Sequence, residues 1–245
     1  NSGISVVFNG AEHWQRVYGV SPHPNVLGGY LAVGVIVILG LIITRQERQR
    51  FWLIAAWLLC WIVLLLTFSR SAWLATIGGS IVTMLLLRRG RHFTRSLLKP
   101  TVLFGSIGLI SVLVFAGMFQ PFLANRFDVT ATPYETLAIT ERVSAAQSAL
   151  QVFAAHPLGG VGLAQSVVVM RDRSGAPRDW VHNVPLLIAA ELGVGGSVLI
   201  AFLVTAVIAI GVQRWRARSI SIWQAPVGGA LIALVLVMQL DHYVW

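Results

Sequence analysis

Long apolar runs constrain this chain more than any other feature. Val26–Ile43, Trp52–Phe68, Ala72–Leu87, Thr101–Phe119, Val184–Val212 and Pro226–Leu240 carry a single formal charge between them, Glu191. A helix rises about 1.5 Å per residue, so about 20 apolar residues cross a hydrocarbon core of roughly 30 Å. Val184–Val212 exceeds that length, and the shorter stretches reach it with flanking residues. Composition agrees: 56% of the chain is hydrophobic and 11% charged, whereas a soluble domain is about a quarter charged. A soluble globular domain and a disordered chain are both excluded. The single cysteine, Cys60, lies in an apolar run, which excludes a disulfide scaffold. The expected fold is all-α, a polytopic membrane helix bundle with six spans.

Charge patterning gives the bundle a direction. A single helix over Trp52–Leu87 would be roughly 54 Å long with Arg70 near its middle, and a central arginine is costly in lipid. A turn is therefore expected at Ser69-Arg70-Ser71. Three basic clusters then share one face: Arg45, Arg48 and Arg50; Arg88, Arg89, Arg91, Arg95 and Lys99; and Arg214, Arg216 and Arg218. The positive-inside rule places that face in the cytoplasm. The net charge of +9 is thereby explained by cytoplasmic loops, and no nucleic-acid partner is expected. Residues 1–25, the Arg70 turn, the loop 120–183 and Asp241-His242 fall outside the cell membrane. Several of the nine tryptophans, among them Trp52, Trp73, Trp180 and Trp245, sit near expected interfaces. The chain starts at Asn1 without an initiator Met or a basic signal region and stops at Trp245. It reads as a piece of a longer membrane protein. Residues 1–245 form one membrane domain, with 120–183 as its extracytoplasmic loop.

That loop is too long for a simple connector. From Val143 onward, Val143, Ala146, Leu150, Phe153 and Ala154 share one helical face. Thr140 is a candidate cap, and Pro157 with Gly159-Gly160 ends the pattern. An amphipathic helix on the outer membrane surface is expected.

Candidate chemistry gathers on the outer side. In a continuous helix from His182, at about 100° per residue, Gly193 lies near 20° and Gly196 near −40°, with Glu191 opposite. His182 would then top a stripe of small residues suited to close packing. It is either an interfacial anchor or a general base, since free imidazole titrates near about 6.5. Arg70 is either a snorkelling end-of-helix charge or a forked donor for phosphate or diphosphate. Arg126 and Arg142 could add to such a clamp. Arg142 has a second reading as a solvated cation paired with Glu141 or Glu135, an interaction of little worth. Pro22-His23-Pro24-Asn25 is a rigid entry to the first span, with Asn25 as a polar contact. Pro157-Leu158-Gly159-Gly160-Val161-Gly162 follows no strand and precedes no Gly-Lys-Ser/Thr, so it reads as a turn rather than a phosphate loop. His23, His182, Asp241 and His242 share a side but no ligand spacing, and no metal is expected. No nucleophile elbow, zinc motif or nucleotide fold occurs.

His182-Asn183, nine residues, then Gly193-Val194-Gly195-Gly196 resembles the His-[Asn/Ser/Gln]-(nine)-Gly-x-x-Gly signature of the O-antigen ligase family. Three further pieces resemble that family in the same order: Arg16…Pro24-Asn25, Ser69-Arg70-Ser71, and Arg142…His156-Pro157-Leu158-Gly159-Gly160-Val161-Gly162. The resemblance implies a larger helix bundle in full-length members, in the bacterial inner membrane, with its site facing the extracytoplasmic side. It implies transfer of a glycan from a polyprenyl-diphosphate carrier to an acceptor hydroxyl during lipopolysaccharide or other surface polysaccharide assembly. The acceptor class is open between lipid A core, a growing glycan and a protein. No cofactor or metal is implied. On this chain, His182 would help activate the acceptor, and Arg70 and Arg142 would hold the diphosphate. Arg126, Asn183 and Asn25 would be substrate-binding positions. Two alternatives stand beside this: a transporter or flippase of lipid-linked glycans, which needs the arginines but no base, and a non-catalytic membrane scaffold.

Overall fold

The structure is a computed structural model and describes residues 5–9, 12–44, 47–90, 98–128, 133–174 and 181–241. Trp180, His242, Trp245 and the basic residues Arg45, Arg91 and Arg95 lie outside the described residues. Helices dominate, in agreement with an all-α fold. They are α1 (Pro24–Thr44), α2 (Glu47–Leu66), α3 (Arg70–Arg89), α4 (Leu98–Met118), α5 (Gln120–Phe127), α6 (Pro133–Ala155), α7 (Ser166–Ser174), α8 (Val184–Arg216) and α9 (Gln224–Leu240). Proline marks six of the starts. Pro24, Pro100, Pro121, Pro133, Pro185 and Pro226 all fall in the first turn of a helix, where the missing N–H would have had no intrahelical partner.

The apolar stretches singled out in the sequence lie in helices, except for Thr67, Phe68 and Phe119, which turn out of α2 and α4. Pro24–Ile43, Arg70–Arg89 and Val184–Arg216 are long and apolar enough to cross a bilayer. A fourth span results if Val102–Met118 and Gln120–Phe127, bent by 92°, count together. Arg50–Leu66 and Gln224–Leu240 are shorter apolar helices.

The residues fall into two compact units, Asn1–Asp128 with Gln213–Leu236, and Val129–Val212 with Val237–Trp245. In the first, α1 packs on α2 and α3. Hydrophobic transfer cannot drive helix association in lipid, so close approach of small residues does the work. A methyl group on Gly28 would lie 2.9 Å from Ala72 Cβ, and one on Gly79 would lie 2.6 Å from Gly229 O. These contacts bring α1 onto α3, and α3 onto α9. Trp57 stacks on Trp61 and meets Phe104 edge-on. Trp61 Nε1 donates to Ser111 Oγ at 2.6 Å, tying α2 to α4.

The segment before α1 holds the one sheet found among the described residues. Strands β1 (Val6–Asn9) and β2 (Glu12–Gln15) pair antiparallel, with Val6 opposite Gln15 and Asn9 opposite Glu12. No strand was expected there. Val7 packs with Leu65, Phe68, Phe115 and Phe119, so the hairpin rests on the α2–α3 turn and the end of α4. Trp14 adds an edge-on contact to Phe119.

In the second unit, α6 begins at Pro133, ahead of the expected cap at Thr140. Proline at the first helical position explains the earlier start. Thr140 lies inside the helix, where its Oγ1 donates to Thr136 O. The helix ends at Ala155, before Pro157, as its sequence pattern requires. The apolar stripe read from the sequence is not the face that packs. Val143 and Leu150 are 52% and 54% exposed, whereas Ala145, Ala149 and Val152 are buried. Small residues let α6 approach its neighbours, and the larger apolar side chains turn outward. Ala149 and Val152 pack with Met170 of α7, Val181, and Leu187 and Ala190 of α8.

Candidate functional site

The α2–α3 turn falls at Thr67–Phe68, and Ser69 is the N-cap of α3. Ser69 Oγ accepts from Ala72 N and lies 3.2 Å from Ser71 Oγ. Arg70 is thus the first residue of α3. A cation there adds to the positive end of the helix dipole, which by itself is unfavourable. Its Nη1 donates to Arg126 O in the last turn of α5, where a cation is favoured. The structure therefore brings Arg70 and Arg126 together through the Arg126 main chain. Both side chains are half-buried.

Asn25 is buried, and its Oδ1 accepts from Arg16 Nη2 at 2.7 Å. Arg16 is only 5% exposed. Its Nε donates to Thr67 O at 2.7 Å, and its Nη1 donates to Ser5 Oγ at 3.2 Å. Asn25 N donates to His23 Nδ1 at 3.1 Å. One buried guanidinium thus joins the segment after β2, the start of α1 and the turn that presents Arg70. Sequence reasoning used Arg16 only as part of a family pattern. Its available signal was a lone arginine between a hairpin and an apolar run.

His182, Asn183 and Arg142 belong to the second unit. Asn183 is the N-cap of α8: its Oδ1 accepts from Leu186 N at 2.9 Å, and its main-chain O accepts from Leu187 N. Its Nδ2 donates to Gln239 O at 3.1 Å. His182 directly precedes this cap, half-buried with Nδ1 turned out of solvent. Arg142 lies on the inward stripe of α6, about two turns before Ala149. It is half-buried rather than fully solvated. The α6 and α8 segments that carry Arg142 and His182 pack through Ala149, Val152, Leu187 and Ala190.

The continuous helix expected from His182 through Gly196 is broken. Gly193 has φ 64° and ψ −158°, a conformation essentially confined to glycine. The glycine stripe beneath His182 is therefore not one helical face, because the 100° rotation is lost at residue 193. The loop after α6 fills the break. Val161 N donates to Ala190 O at 3.1 Å and Gly162 N to Glu191 O at 2.9 Å, taking the carbonyls that a regular helix would have used. Val194 N in turn donates to Pro157 O at 2.8 Å. The fit is tight. A methyl group on Gly193 would lie 2.6 Å from Pro157 O and would also overlap Leu158 O. One on Gly160, whose φ is 63°, would lie 2.6 Å from Leu192 N. The run His156–Gly162 is thus a turn, and its partner is the broken helix.

Glu191 is fully buried at this break. Its carboxylate accepts from Ala164 N at 3.0 Å and from Ser166 Oγ at 2.6 Å. The sequence places Glu191 opposite His182 on the helix but does not show its partners. They lie in a loop more than twenty residues earlier, beyond any local spacing rule. Among the described residues, no group of three or more His, Cys, Asp or Glu side chains could hold a metal ion.

A family model described as O-antigen ligase matches residues 54–201, more than half of the chain. No curated protein and no solved structure matches it significantly.

Proposed function

The chain belongs to the O-antigen ligase family, and from that premise we propose that it is a membrane glycosyltransferase acting on a polyprenyl-diphosphate-linked glycan. The acceptor is a hydroxyl of lipid A core, of a growing glycan or of a protein. The enzyme sits in the bacterial inner membrane with six spans, and its site, overhung by residues 120–183, faces the extracytoplasmic side. The donor's lipid tail stays in the bilayer, which accounts for chemistry at the outer leaflet.

His182 accepts the proton of the acceptor hydroxyl as its oxygen attacks the anomeric carbon. The bond from that carbon to the diphosphate oxygen breaks, and the electron pair leaves with polyprenyl diphosphate. Arg70 and Arg142 hold the diphosphate and offset the charge it gains, with Arg126 alongside. Neither nucleotide nor metal takes part, because the donor arrives with its leaving group already activated. Asn183 fixes the helix start next to His182. Asn25 acts through Arg16 on the turn that carries Arg70.

One observation carries this reading. The family match spans residues 54–201, a stretch that holds Arg70, Arg126, Arg142, His182 and Gly193. The placement of Arg70 supports it, since a guanidinium at a helix N-terminus favours an anion. The test is a cell-surface glycan assay with His182→Ala and Arg70→Ala in the full-length protein. Both variants are expected to insert and fold at normal levels without transferring glycan. Normal transfer by both would remove the mechanism.

A further inference from the structure

Building on that reading, we propose that Glu191 is a positioning residue, which sets the orientation of His182 by hydrogen bonding rather than by carrying a proton. Glu191 is gripped twice by one loop. Its main-chain O accepts from Gly162 N, and its carboxylate accepts from Ala164 N and Ser166 Oγ. Ser166 is itself fully buried. Ala164 has φ 58°, a left-handed conformation that a non-glycine residue keeps only when neighbouring structure holds it. The Glu191 carboxylate supplies that hold.

The consequence reaches the site through a short, stiff helix. Because α8 breaks at Gly193, its first part runs only over residues 184–192. His182 stands just before one end and Glu191 close to the other. The start is fixed by the Asn183 cap and its bond to Gln239 O. The far end is fixed by the loop at 157–166. Between them, Leu187 and Ala190 pack on Ala149 and Val152 of α6, the helix that carries Arg142. Releasing Glu191 lets the short helix turn about its cap and moves the imidazole relative to Arg142. A carboxamide keeps the arrangement: its oxygen accepts from Ala164 N, and its NH2 donates to the Ser166 hydroxyl, which can act as acceptor.

The experiment compares Glu191→Gln and Glu191→Ala in the full-length protein in lipid nanodiscs, with two readouts that need no turnover. Hydrogen exchange across residues 157–166 is expected to rise about tenfold to a hundredfold in Glu191→Ala, the loss of two hydrogen bonds. It should stay within about threefold of the parent in Glu191→Gln. In a Cys60→Ser background, a His182→Cys thiol reacts with a membrane-impermeant maleimide at a rate that Glu191→Ala changes and Glu191→Gln leaves alone. The third readout is glycan transfer, where Glu191→Ala lowers kcat more than it raises the donor KM and Glu191→Gln restores it. Unchanged exchange or unchanged maleimide rate in Glu191→Ala overturns the proposal. So does a Glu191→Gln variant with parental exchange and no transfer, which would show that the charge itself is required. Failure of the parent protein to transfer glycan would count against the transferase and leave the first two readouts standing.

Discussion

Replacing Gly193 by alanine probes the broken helix directly. The backbone at Gly193, φ 64° and ψ −158°, costs a non-glycine residue about 1–3 kcal/mol. The added methyl would also overlap Leu158 O and lie 2.6 Å from Pro157 O, so the loop must retreat. Retreat weakens three hydrogen bonds: Val161 N to Ala190 O, Gly162 N to Glu191 O, and Val194 N to Pro157 O. Each contributes about 0.5–1.5 kcal/mol net. The alternative is a straightened α8 that keeps its own hydrogen bonds and expels the loop. Either route should destabilise the 157–166 segment by about 3–5 kcal/mol, near the upper end for a single substitution. Hydrogen exchange by mass spectrometry on nanodisc-embedded protein reads this as lost protection across residues 157–166. Gly195→Ala is the control, since nothing lies within 4 Å of a methyl group there. In a helix it should be neutral or stabilising by up to about 1 kcal/mol. Parental protection in Gly193→Ala, or equal loss in both variants, would refute the pairing of loop and helix.

Other consequences follow from the packing. Arg16→Lys keeps the charge but cannot reach Thr67 O and Asn25 Oδ1 together, and charge-assisted bonds contribute about 1.5–3 kcal/mol each. It should lower the thermal midpoint in a tryptophan-fluorescence melt, and Asn25→Ala should lower it less. Gly79→Val should push α3 away from α9, given the 2.6 Å approach to Gly229 O. The expected loss is about 1–3 kcal/mol in a detergent-denaturation series. Asn183→Ala removes the α8 cap at a cost of about 1 kcal/mol, seen as faster exchange at Leu186. Asn183→Asp keeps the cap acceptor but loses the donor to Gln239 O, and it should retain most of that protection.

Much of this architecture was legible because lipid leaves few choices. A run of apolar residues must be helical to satisfy its own backbone, so most of each expected stretch appears in a helix. The turn beside Arg70 followed from the cost of a central arginine. What escaped the sequence was held by partners distant along the chain. Gly193 looks like any packing glycine until Pro157 and Leu158 are seen against it. The packed face of α6 was not legible, because the apolar stripe of Val143 and Leu150 stays exposed while the small residues Ala145 and Ala149 make the contacts. The start of α6 was set by Pro133, a signal present in the sequence but outweighed by Thr140. The hairpin had a local signal in Val6, Val7 and Phe8, which β-propensity favours. It was overlooked because the apolar spans dominated the reading. Among the candidate residues, Arg70 and His182 were singled out by position and resemblance. Arg16 and the Ala164–Ser166 seat of Glu191 needed three dimensions.

In the proposed mechanism, His182 serves the formation of a new glycosidic bond rather than the passage of a lipid across the membrane. The decisive measurement supplies a polyprenyl-diphosphate glycan and a hydroxyl acceptor to the full-length protein in sealed vesicles. It follows glycosylated acceptor and free polyprenyl diphosphate together. Equal amounts of both products are expected, with a His182→Ala rate lower by about 10²–10⁴-fold. Movement of the intact donor between leaflets with neither product formed, by parent and variant alike, would contradict this mechanism.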